Sequence, residues 1–188
     1  MQNILKIFVA FGIALSLTGC APPSIHPFFT DEDVVFDEAL LGVWINDSGK
    51  KCLFTRSGDK HYELLYVEED SARFEAQLIE LGGRTFFDLY PKPLEKEKGL
   101  YFANFVPAHT LARVTIGEDS ISIALMNCDW LKQLSDRNQL DLAHERLDEE
   151  MVALTAPTRE LRAFALKHAD SKEAFCEAEV FHRLRSDK

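Results

Sequence analysis

No apolar stretch of this 188-residue sequence approaches the ~20 residues that a membrane-spanning helix needs; the longest, residues 7–17, has 11. Lys and Arg never gather into a stripe, and 21 basic against 31 acidic side chains leave a net charge of −10, which argues against a nucleic-acid partner. Cysteines are few, four in all, and none forms a CxxC, so thiol–disulfide exchange and zinc-knuckle chemistry have little to stand on. GxSxG, HExxH and the phosphate-cradling P-loop are missing too. No catalytic constellation is visible, and nothing calls for a cofactor or a metal. Disorder is excluded by the opposite kind of evidence: 46% of the residues are apolar, and 14 Phe need burial.

What is present begins with the leader. The chain opens MQNILK, continues with the apolar run and ends it in Leu17-Thr18-Gly19-Cys20. A charged start, an apolar core of this length and small residues before a cut site describe a signal peptide over residues 1–19. LTGC resembles the lipobox of bacterial lipoproteins. That resemblance implies a diacylglyceryl group on the Cys20 thiol, cleavage before Cys20 and acylation of the new amino group. Two or more acyl chains hold a protein firmly where one holds it weakly. Residue 21 is Ala, not Asp. By resemblance to lipoprotein sorting in enteric bacteria, this implies an outer-membrane location facing the periplasm. An ordinary secretory signal with a chance cysteine near its cut site is the alternative. Residues 20–38 read as a lipidated tether, with three early prolines and no visible period.

From residue 39 the period is two. Strand-like runs occupy 39–45, 51–56, 61–68, 73–81, 84–90, 100–106, 109–116 and 120–127. Short turns separate most of them, and Gly82-Gly83 is a two-residue hairpin signal. Short connections force antiparallel pairing, and a meander of this length removes its exposed edges by closing. After 127 the period changes. Trp130, Leu131 and Leu134 fall on one helical face behind Asn127 or Asp129 as cap; 151–156 reads as a last short strand; Pro157 opens a helix through His168. A final helix is expected over 172–184, with Phe175, Ala178 and Phe181 in a stripe. The expected domain is therefore 39–188: a barrel over about 39–127, then a helical part over about 128–188.

Gly42-Val43-Trp44, opening the first strand, resembles the GxW signature of lipocalins, in which the tryptophan packs under one end of the barrel. The resemblance implies a mainly β fold, an antiparallel up-and-down lipocalin-like barrel, here packed by a short α-helical pair. Gly42 and Trp44 are its structural residues. Two C-terminal helices instead of one depart from that pattern. ALLGVW at 39–44, FFDLYP at 86–91 and LTAPTRELRAF at 154–164 also resemble uncharacterised bacterial envelope lipoproteins, a likeness that brings no activity with it.

Candidate chemistry is thin. His61 and Glu63 share a strand face and could share a metal, but no third ligand is in register, so a solvated face is the simpler reading. Asp88 sits in an apolar strand; pointing inward it would be a polar group in a pocket, and the simpler reading is an outward carboxylate near a strand end. His109 and Arg113 share a face and could meet an anion, or lie on the surface. Glu68-Glu69-Asp70 lacks the ligand spacing of a calcium loop. Asn46-Asp47-Ser48 matches a glycosylation triplet that a bacterial lipoprotein does not use. Cys52, Cys128 and Cys176 allow one disulfide with three pairings, or three small buried hydrophobes. Two functions fit: a hollow barrel that holds a small apolar or amphipathic ligand near the membrane, or a filled barrel that docks an envelope protein.

Overall fold

The structure, a computed structural model, describes residues 21–92 and 106–185. The leader, Cys20 and all but Val106 of the strand expected over 100–106 lie outside the described residues. Eight strands close into an antiparallel barrel: β2 (Gly42–Ile45), β3 (Lys51–Arg56), β4 (Tyr62–Val67), β5 (Ser71–Leu81), β6 (Arg84–Lys92), β7 (Thr110–Ile116), β8 (Ser120–Leu125) and β11 (Glu179–Arg183). Around the wall the order is β5-β4-β3-β2-β11-β8-β7-β6, and β6 pairs back onto β5. Period-two alternation decides which side chains fill it. Trp44, Phe54, Leu64, Ala76, Phe87, Val114 and Ile121 point inward and form one core with Phe181. At the β5–β6 hairpin, Gly82 and Gly83 take the positive φ values (54° and 74°) that a two-residue connection requires.

The opposite face of β5–β8 carries a second core. Ile79, Phe86, Leu111, Ala124 and Met126 point outward from the barrel and pack against α1 (Cys128–Asp136), α2 (Thr158–Lys167) and Phe175. Asn127 caps α1, its Oδ1 accepting from the N–H groups of Asp129 and Trp130. Between the helices, β9 (His144–Arg146) pairs with β10 (Val152–Leu154).

Two expectations are corrected. Residues 172–184 are not a helix. Ala174 and Phe175 enter the outer core, and Glu179–Arg183 then runs between β2 and β8, pairing with both. The barrel therefore does not end near residue 127; its closing strand comes from the C-terminus. Phe175 and Phe181, expected on one helical stripe, are buried in different cores, and Ala178 is exposed. The physical reason is that β2 and β8 would otherwise each present a row of unpaired N–H and C=O groups.

Nor are residues 21–38 a loose tether. Ser24 exchanges both backbone hydrogen bonds with His109, at 2.8 Å each, and Leu154 donates to the Pro23 carbonyl and accepts from Ile25. Phe28 is fully buried. The short strand β1 (Val34–Val35) pairs with β5 at Leu78 and Ile79. The segment forms a strap down the outside of the barrel, and a 3-10 turn (Glu38–Leu40) carries it under one end into β2.

Candidate functional site

The barrel is hollow at one end. A cavity of about 660 Å³ opens where the β2–β3 and β4–β5 turns lie and where the chain enters β11. Its walls are Leu64, Phe74, Phe87, Leu89, Ile123 and Phe181. Inward-facing residues of eight strands leave room for one small ligand when their summed volume falls short of the lumen.

Polar groups are confined to the mouth. Lys50, ending the β2–β3 turn, donates to Glu179 at 2.8 Å and lies 3.3 Å from Glu68. The hydrogen bond to Glu179, supported by Glu68, holds its ammonium well above the usual lysine range despite partial burial. Asn46 Nδ2 also donates to Glu179, at 3.2 Å. Tyr66 donates to Glu68, and burial, with Glu179 nearby, pushes its hydroxyl up to about 12. Burial, with a smaller contribution from Glu179, likewise pushes the Cys52 thiol up to about 12. The Tyr66 hydroxyl and the Cys52 thiol stay neutral at physiological pH, so charge is confined to the rim at Lys50, Glu68, Glu177 and Glu179.

The other end is shut, and Gly42 and Trp44 help to shut it. Trp44 is fully buried in the barrel core, and its Nε1–H donates to the Leu40 carbonyl at 2.8 Å. Arg183 lies over the indole at 4.1 Å and donates to the Leu41 and Ala39 carbonyls, tying the last strand to the 3-10 turn. Gly42 has φ +121°, a conformation that side chains with a Cβ rarely adopt, and a Cβ there would also press on the Arg183 guanidinium at 3.3 Å.

A smaller cleft of about 250 Å³ lies on the outer face. Asp88 points there, away from the lumen, yet it is buried beneath the strap. Its Oδ2 accepts from the Phe28 N–H at 2.9 Å, and its Oδ1 lies 2.6 Å from His109 Nδ1. Asp88 thus takes the outward direction and not the inward one, but the strap buries it where a solvated surface carboxylate was the expectation. Both partners are already committed to holding the strap. Arg113 does not join His109 in an anion site; it donates to the Ala169 carbonyl and covers the Phe175 ring.

The remaining candidates scatter. Glu63 pairs with Arg73 and Lys92 on the outer surface, and His61 sits 3.9 Å from Glu75. Ser135 and His144 are 2.9 Å apart, but the other ring nitrogen of His144 faces the Leu142 carbonyl rather than a carboxylate. Cys52 lies inside the barrel wall and Cys176 lines the same cavity. Among the described residues no His, Cys, Asp and Glu gather into a group that could hold a metal ion.

Sequence reasoning missed the mouth. Lys50 read as part of a turn and Glu179 as part of a helix, so nothing brought them together. The alternation Glu179-Phe181-Arg183, with polar ends and an apolar centre, was the available signal. Compared with protein-family models, with curated proteins and with solved structures, the chain matches none.

Proposed function

We propose that this chain is a lipid-anchored envelope protein whose barrel holds a small apolar or amphipathic molecule. The observation that carries the ligand reading is the apolar cavity of about 660 Å³, open at one end and closed at the other by Trp44 and Arg183. Its size falls in the range of small-molecule sites, and its polar groups are few and gathered at the entrance. A filled barrel, which the docking alternative required, would have put side chains where this space is.

The anchor reading rests on the LTGC motif at Cys20 and gains a geometric consequence. The strap joins the barrel at His109, just before β7 and therefore at the mouth end. Three residues lie between Cys20 and Ser24, and the four steps from one to the other reach at most ~14 Å when fully extended. Acyl chains on Cys20 would hold the mouth close to the bilayer surface, the place from which an amphipath would enter. Ala21 fits an outer-membrane location facing the periplasm.

Native mass spectrometry of the gently extracted protein, with uptake of a neutral fluorescent probe such as N-phenyl-1-naphthylamine, tests the ligand reading. A co-purifying small molecule or saturable uptake at one site supports it. A reproducibly empty protein that takes up no probe refutes it. Partition of the mature chain into the detergent phase of a phase separation tests the anchor separately, and loss of that partition in Cys20→Ala is the expected control.

A further inference from the structure

Resting on the ligand reading above, we infer that the cavity selects amphipaths with a cationic head over those with an anionic head. The hydrocarbon would lie among Phe74, Phe87 and Leu89, and the ammonium group at the carboxylates of Glu68, Glu177 and Glu179. Charge at the mouth carries the inference. Three carboxylates and one ammonium line it, an excess of two negative charges. The ammonium, Lys50, is already shared between Glu68 and Glu179. A carboxylate head would have to pull Lys50 from both while approaching Glu177, and Glu177 has no ion-pair partner among the described residues. A cationic head replaces nothing: it meets Glu177 directly, and the Tyr66 ring beside Glu68 offers it a second attractive surface. Apolar walls below the rim leave no site for either head deeper in the barrel.

The test uses the purified full-length protein and three amphipaths with the same twelve-carbon tail, all below their micelle concentrations. Dodecylamine, dodecanol and laurate each displace bound N-phenyl-1-naphthylamine at pH 7. Dodecylamine is expected to bind about tenfold or more tighter than laurate, with dodecanol between them, since an excess of two charges near a wet surface acts on the two heads with opposite sign. Glu177→Gln and Glu179→Gln should each narrow that ratio by about twofold or more, as should raising the salt. Laurate binding as tightly as dodecylamine, with probe and dodecanol still bound, would overturn the head-group inference and leave the hollow-barrel reading standing. Failure of the probe and of all three amphipaths to bind would remove both. A ratio unchanged by both substitutions would place the selectivity in the overall charge of the chain and overturn the assignment to the mouth.

Discussion

Replacing Trp44 by Phe isolates what the indole does at the closed end of the barrel. The phenyl ring keeps most of the apolar contact but has no N–H. The Leu40 carbonyl, on a fully buried residue, then loses its donor at 2.8 Å. An unsatisfied buried acceptor costs about 1–3 kcal/mol. The guanidinium of Arg183, 4.1 Å from the indole, also meets a weaker ring, a loss of about 0.5–1 kcal/mol. Trp44→Phe should therefore destabilise by about 1.5–4 kcal/mol, and Trp44→Ala, which adds a cavity, by at least the ~3–5 kcal/mol typical of buried aromatic truncation. Urea unfolding followed by far-UV circular dichroism and by Trp130 emission measures both, since Trp130 sits in the outer core and reports without the substituted residue. A double-mutant cycle with Arg183→Met should return a coupling of about 0.5–1.5 kcal/mol. A cost below about 1 kcal/mol for Trp44→Phe, or strict additivity in the cycle, would refute the reasoning.

Three further outcomes are expected. Cys52, whose thiol burial raises to about 12, should resist iodoacetamide at pH 8 in the folded protein and react once urea unfolds it; equal rates in both states would contradict its placement. Asp88→Ala removes the shared acceptor of Phe28 and His109 and should cost on the order of 3 kcal/mol. Amide exchange at Ser24 and Phe28 should then quicken far more than in β3 and β4, and unchanged protection of the strap would argue against its role. Stability should also fall in acid in two stages. Burial beside Trp130 and Phe164, with Lys167 adding to it, lowers the His168 imidazole, so its contribution is complete above its ordinary value of 6.5 and fades as pH drops below it. Burial opposes ionisation of Asp33, but hydrogen bonds from Thr30 and the pairing with Arg162 outweigh it and hold the carboxyl below 3.8, so its share is lost only as pH falls under that value. Urea midpoints at pH 7.5, 5.5 and 3 should show both stages, with His168→Gln flattening the first and Asp33→Asn the second.

Much of the barrel was legible because its signals are local. Inward and outward residues alternate along β3, β4 and β5, the Gly82-Gly83 pair turns the chain between β5 and β6, and Asn127 caps α1 with its own side chain. Trp44 announced itself by its place before the first long run of alternation. Asp88 was only half legible: its outward direction follows from the strand, but its burial depends on a strap some 60 positions earlier in the chain.

Sequence alone determined the mainly β architecture, since a period of two over successive short runs admits no other pairing than antiparallel neighbours. Tertiary structure decided the rest. Residues 172–184 carry both a helical stripe and a strand alternation, and the open edges of β2 and β8 chose between them by offering two rows of hydrogen-bonding groups to one segment. The strap lies flat because Asp88 and β5 give its backbone partners. Whether the lumen is filled or empty depends on the sum of side-chain volumes from eight strands against the space they enclose, a quantity no single segment contains.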